Sequence, residues 1–273
     1  MTVFLNTQNS CKWLPSEIKH FEKTHNVTVI GIADNGSKAW GYSCETSDND
    51  LKAVFIHNDK RKYLNLFQYE DSYRSQNKLL NFDITYYDIS KFMGFIFKGN
   101  AQGYETLYSD IQYVENEYYS MLQSWARSKY IQNKKELGYH YYGLAQSTYK
   151  RRVEEKKDIK KHHQWLYIIR PILSVIDMME NNNLPKLNFD VLLNSVHLKD
   201  ENILKIINYI VSTKKSGINM TLPDEDNIML SEWIEENIDY IKDFLDTHES
   251  SEKNIELEKK EYSSFLTSLI NSV

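Results

Sequence analysis

Two carboxylates, Asp48 and Asp50, stand two residues apart at the mouth of the β-prone run Leu51 to Ile56, in Ser47-Asp48-Asn49-Asp50-Leu51-Lys52. Side chains of a strand alternate faces, so the pair points to one side. Adjacent carboxylates on one face make a negative site that a divalent cation relieves. Mg²⁺ suits it, because that ion takes oxygen ligands, keeps part of its water shell and accepts phosphate oxygens for the rest. Upstream lies Gly31-Ile32-Ala33-Asp34-Asn35-Gly36-Ser37-Lys38-Ala39-Trp40-Gly41. Glycine at 36 lets the backbone approach a phosphate, and the N–H groups with the Ser37 hydroxyl offer neutral donors to its oxygens. A third carboxylate, Asp83, sits among apolar neighbours in Phe82 to Tyr87. With a second metal it would help activate an incoming hydroxyl while the other ion stabilises the leaving group.

Each of these residues also has a plainer reading. Ser-Asp-Asn-Asp is by itself a common solvated turn, held by local Asx hydrogen bonds. The basic run Lys150-Arg151-Arg152, Lys156-Lys157 and Lys160-Lys161 is interrupted by Glu154, Glu155 and Asp158, so it reads equally as a self-paired helix surface or as cations for a triphosphate or an RNA backbone. His162 and His163 are adjacent and share no helix face. Tyr141 and Tyr142 suit a core or an interface better than a base-stacking platform.

The elements that must position these residues follow from the pattern. Pro15 and the spacing of Ile18 and Phe21 predict a short helix to about His25. Strands are expected at 26–32, 51–56 and 81–87, with a short helical piece near Lys38 to Trp40 and Asp88 or Ser90 capping a helix over Phe92 to Phe97. From about Tyr113, helical periodicity takes over, at Tyr118 to Ile131, Leu137 to Glu155, His163 to Met179 and Ile228 to Leu245. The expected fold is α+β, a mixed sheet with helices over 1–112 followed by a helical domain over 113–273. Only 4 prolines and 9 glycines occur in 273 residues, which favours helix.

A net charge of -5 confines any nucleic-acid contact to a local patch. Cys11 and Cys44 are too few and too far apart for a disulfide framework or a paired zinc site, and two free thiols suit a reducing cytoplasm. No run of about 18 apolar residues appears, so no membrane partner is expected.

Asn35-Gly36-Ser37 followed at the right interval by Asp48-Asn49-Asp50 resembles the signature of the polymerase β superfamily. Within it the chain is similar to predicted nucleotidyltransferases of bacteria and phages, some of which accompany RNA ligases in RNA-repair gene clusters. That branch carries Gly-Ser-Arg-Ala-Trp-Gly and Ser-Asp-Tyr-Asp-Val-Arg, against Gly36 to Gly41 and Ser47 to Lys52 here. Leu80 to Ile84, Lys98-Gly99-Asn100 through Glu105, His140 to Ala145 and Trp165 to Leu173 match later stretches. Lys38 and Lys52 stand where the branch has arginines, which keeps a cation and loses bidentate phosphate recognition.

The resemblance implies the nucleotidyltransferase fold with a helical extension, and transfer of a nucleoside monophosphate from a nucleoside triphosphate to a hydroxyl, with an RNA end as the expected acceptor. A protein acceptor, or a non-catalytic nucleotide-binding scaffold, is the alternative. Mg²⁺ or Mn²⁺ is the expected cofactor, on Asp48, Asp50 and Asp83 as catalytic and metal-binding residues. Gly36, Ser37, Lys38 and Lys52, joined by Lys150 and Arg151, are expected to bind the nucleotide.

Overall fold

The computed structural model describes residues 3–4, 12–64, 69–153, 162–218, 221–247 and 254–273. In chain order its strands are β1 (Val3–Phe4), β2 (Val27–Asp34), β3 (Asn49–His57), β4 (Ser72–Asn77), β5 (Phe82–Asp88) and β6 (Gln112–Glu115). Its helices are α1 (Leu14–His25), α2 (Ile89–Phe97), α3 (Ala101–Leu107), α4 (Glu117–Val153), α5 (Leu166–Asn181), α6 (Phe189–Ser195), α7 (Glu201–Lys215), α8 (Asp224–Thr247) and α9 (Ile255–Ser272). The fold is α+β, as expected. The chain forms two compact units, neither continuous in sequence: Met1–Ala39 with Asp48–Asn133 and Ser251–Val273, and Trp40–Ser47 with Lys134–Ser250.

The first unit is built on one mixed sheet of order β1-β6-β2-β3-β5-β4. All neighbours run antiparallel except β3 and β5, which are parallel. On β5 the side chains alternate cleanly: Phe82, Ile84, Tyr86 and Asp88 are buried, while Asp83, Thr85 and Tyr87 are half-buried. The buried set joins Leu51, Ala53 and Phe55 of β3 against Leu14, Ile18 and Phe21 of α1. Phe21 stacks on Tyr86 at 3.7 Å between centroids. One face of the sheet therefore belongs to α1, and the other is free at this end to carry polar groups.

Local signals explain the helix limits. Pro15 lies in the first turn of α1, where its missing N–H costs nothing, and Asn26 closes the helix in the left-handed conformation at φ 53. The Asp88 side chain caps α2 by accepting from Ser90 N, and Asn100 caps α3 by accepting from Gln102 N. Two expected helices, Tyr118 to Ile131 and Leu137 to Glu155, are one continuous α4 as far as Val153, with 154–155 outside the described residues. The polar stretch between them holds no glycine or proline, and its buried Asn133 is satisfied by donating to the Ile96 carbonyl at 2.8 Å and to the Tyr104 and Tyr262 hydroxyls. The piece at Lys38 to Trp40 is a turn rather than a helix.

The second unit is helical. Buried side chains of α5, among them Leu166, Ile168, Ile169, Ile172 and Leu173, form its centre, with Phe189 of α6, Ile207 and Ile210 of α7, and Leu230, Ile234 and Ile241 of α8 also buried. Arg170 is buried, with its guanidinium 4.3 Å from the Trp40 ring centroid. Tyr141 is a core residue of this unit. Among the described residues no helix is long and apolar enough to cross a membrane.

Candidate functional site

Strand β2 ends at Asp34 and the chain turns sharply through Gly36 to Ala39. The buried Asp34 carboxylate shapes that turn: its Oδ1 accepts from Gly36 N at 3.1 Å and from Ala39 N at 3.2 Å. Asn35 N donates to the Asp50 carbonyl at 2.8 Å, and its side chain donates to Thr106 Oγ1. The turn is thus strapped to β3 beside Asp50. Gly36 is needed for this closeness, since a Cβ there would lie 2.7 Å from the Asp50 Cβ. Its backbone is not left-handed, so the glycine serves close approach rather than an unusual dihedral.

The Asp34 Oδ2 is buried without a hydrogen-bond partner. Burial pushes the carboxyl up to about 6, against the opposing pull of the Gly36 and Ala39 amides and of Lys38, with Asp50 adding to the rise. Sequence reasoning passed over Asp34. The available signal was an acid placed at the end of an otherwise apolar strand.

Asn49 sets the position of the acidic pair. Its backbone N–H donates to the Asn81 carbonyl at 3.0 Å and its side-chain amide donates to the same carbonyl at 2.9 Å. Asn81 itself is left-handed at φ 51, starting β5 just there. This double clamp fixes the parallel register Asn49 to Phe82 and Asp50 to Asp83. In-register residues of neighbouring strands share a face, so Asp50 and Asp83 stand side by side. The scaffold alternative would have gained from an Asp83 turned away from Asp48 and Asp50; the register sets Asp83 beside Asp50.

The charges on this face are balanced in sequence across the strands. Lys52 Nζ lies 2.7 Å from Asp50 Oδ1 and 3.4 Å from Thr85 Oγ1. Arg74 of β4 reaches Asp83, with Nε 2.9 and 3.1 Å from the two carboxylate oxygens and an Nη2 bond beside them. The Arg74 guanidinium, and then Lys52, hold the Asp83 carboxyl below the usual range despite partial burial. Lys38 Nζ donates to Asn49 Oδ1 at 2.6 Å. Ser37 is half-buried at the head of the turn.

Of the residues named from sequence, Gly36, Ser37, Lys38, Asp48, Asp50, Lys52 and Asp83 all lie in the sheet unit. Asp48 is exposed, just ahead of β3. Lys150 and Arg151 belong to the helical unit, exposed near the end of α4, where Arg151 Nε donates to the Ser147 carbonyl. The side chains of the rest of that basic run lie outside the described residues. Arg74 was missed because β4 carries the weak strand sequence Ser-Tyr-Arg-Ser-Gln-Asn, which has no apolar alternation to betray it.

Among the described residues, no three His, Cys, Asp or Glu side chains are grouped to hold a metal ion. What the sheet brings together is the pair Asp50 and Asp83. That pair fits a hard divalent cation of the Mg²⁺ type, which needs only one or two carboxylates when substrate phosphates supply the remainder.

The chain is similar to known proteins. A family model described as the RNA repair pathway DNA polymerase beta family matches residues 13–262. The uncharacterized protein YcgL of Bacillus subtilis (strain 168) is 26% identical over 261 residues, covering 93% of this chain and 92% of the relative. A crystal structure of a nucleotidyltransferase-like protein from Exiguobacterium sibiricum 255-15 is 10% identical, covering 87% of this chain and 74% of the other at a TM-score of 0.31. With the family match spanning the sheet and most of the helices, the chain belongs to the RNA repair pathway DNA polymerase beta family and is a nucleotidyltransferase of the polymerase β type.

Proposed function

We propose that the protein transfers a nucleoside monophosphate from a nucleoside triphosphate to the hydroxyl of an RNA end, in a metal-dependent reaction centred on Asp50 and Asp83. The observation that carries this reading is the register of β3 and β5, which sets the two carboxylates side by side next to the Gly36 turn. The Ser37 hydroxyl and the turn amides other than those of Gly36 and Ala39, which Asp34 holds, receive the triphosphate, and Lys38 and Lys52 neutralise part of its charge. Asp48, exposed just ahead of β3, is the third member of the acidic set on this reading.

Asp50 and Asp83 would hold the divalent ion, which when bound supplies charge neutralisation at the phosphoryl group and acidifies the attacking hydroxyl. Asp83 orients the acceptor hydroxyl toward the α-phosphorus. The hydroxyl oxygen forms the new bond to that phosphorus, and the bond between phosphorus and the bridging oxygen breaks. Pyrophosphate leaves with the electron pair, and the hydroxyl proton passes by way of the Asp83 carboxylate to solvent.

The test follows pyrophosphate release with each of the four nucleoside triphosphates in Mg²⁺ or Mn²⁺, with and without a short RNA. Release that depends on RNA is expected. Asp50→Asn should reduce it by about 10³-fold or more while circular dichroism and melting stay close to those of the parent, because the amide keeps the volume and loses the charge. Full activity in that variant would sink the assignment of the acidic pair.

A further inference from the structure

Four groups stand in order across one face of the sheet. The Gly36 turn abuts Asp50 on β3, Asp83 follows on β5, and Arg74 lies beyond it on the edge strand β4. On the reading above, the triphosphate lies on the turn side of Asp50, and the attacking hydroxyl arrives at Asp83. Whatever carries that hydroxyl then approaches over β5 and β4.

The cation waiting on that side is Arg74. Its side chain is 63% exposed, yet its guanidinium is held in a fork on the two oxygens of Asp83. Lys52 is different: its side chain is only 15% exposed and is tied to Asp50 and Thr85. A planar fork that matches a carboxylate matches a phosphate equally well, and an exposed arginine reorients at little cost. Further along the same strand Gln76 is exposed, and Lys78 is exposed in the turn that follows, so donors continue along this margin. Leu79, at 96% exposure, adds apolar surface beside them.

We propose that Arg74 binds the acceptor: its guanidinium exchanges the Asp83 carboxylate for a phosphate of an RNA end, next to the hydroxyl that attacks. The proposal rests on the nucleotidyltransferase reading and deepens it, because it selects between acceptor classes. An RNA end carries a phosphate beside its hydroxyl and gives the fork a partner, whereas a protein hydroxyl brings none.

The experiment measures binding of a short fluorescent RNA with a free 3′ hydroxyl to the full chain, over a series of salt concentrations. Binding of a non-hydrolysable nucleoside triphosphate is measured in parallel, for the parent, Arg74→Ala and Arg74→Lys. Arg74→Ala is expected to weaken RNA binding by about tenfold and to lower the slope of log affinity against log salt by about 0.7, the value for one phosphate contact on a single strand. Its nucleotide affinity should not change. Arg74→Lys should keep the salt slope and recover only part of the affinity, since it restores the charge without the fork.

Unchanged RNA affinity and slope in Arg74→Ala would overturn the proposal, and so would equal losses for RNA and nucleotide, which would mark a role at the nucleotide or in the fold. Labelling of a protein acceptor with no RNA binding by the parent would also overturn it. Failure of the parent to bind any nucleotide or to release pyrophosphate would instead count against the nucleotidyltransferase reading on which it stands.

Discussion

A carboxylate buried with one oxygen unpartnered costs stability, and Asp34 is such a group. Its folded-state pKa of about 6 lies above the ordinary 3.8, so between those values the folded protein holds more protons than the unfolded chain. Stability from this group is therefore full below the unfolded value and is lost as pH rises through the folded one. Asn at this position keeps an acceptor for the Gly36 and Ala39 amides and removes the charge. Asp34→Asn should thus be more stable than the parent near neutral pH, by on the order of 2 kcal/mol, and the advantage should vanish near pH 4. Melting of both proteins across that range checks the sign; an advantage that grows toward acid would refute it. Gly36 makes the complementary case. Gly36→Ala places a methyl against the Asp50 Cβ, forcing turn and carboxylate apart. It should cost about 1–3 kcal/mol of stability and about 10²-fold in pyrophosphate release, with the global fold retained by circular dichroism.

At the scale of elements, a strand can be positioned by polar clamps as firmly as by its apolar face. The double donation from Asn49 to the Asn81 carbonyl decides which residue of β5 faces Asp50. A slip of one residue would bring Phe82 or Ile84 to that place and turn Asp83 into the apolar layer under α1. β4 shows the opposite economy. It has almost no apolar pattern, and it is held as an edge by its antiparallel pairing to β5, with Arg74 bound to Asp83 across the strands. An edge strand lined with Arg74 and Gln76 also resists further strand addition, so the same polar residues serve solubility and the proposed acceptor contact.

For the whole molecule, the last helix belongs to the first unit. Segment Ser251–Val273 clusters with the sheet rather than with the helices that precede it in sequence. Its α9 brings Phe265 to stack on Trp125 at 4.6 Å between centroids, and Tyr262 edge-on to Trp125 at 4.4 Å and to Phe97 at 5.0 Å. The Tyr262 hydroxyl also accepts from the buried Asn133 amide. A chain ended after residue 250 should lose about 3–5 kcal/mol or more, visible as a lower melting temperature and red-shifted tryptophan emission. An unchanged melting temperature would show that α9 contributes nothing to the sheet unit.

The amino-acid sequence alone was enough for the features that local chemistry controls. The Gly36-Ser37 turn, the Asp88 cap and the helical second half follow from propensities and periods that act over a few residues, whereas the strand alternation expected to place Asp48 with Asp50 does not reach Asp48, which lies just ahead of β3. The resemblance to polymerase β-type nucleotidyltransferases rested on the same short motifs. Tertiary structure decided what joins residues far apart in the chain. The neighbour of Asp50 is Asp83 because β3 and β5 pair directly, in parallel, although β4 lies between them in sequence, and Arg74 meets Asp83 only once β4 and β5 have paired. Asp34 likewise becomes a buried acid with a raised pKa only when β2 is covered. Register, burial and the return of α9 to the sheet depend on contacts between segments, and a contact between segments leaves no period in either of them.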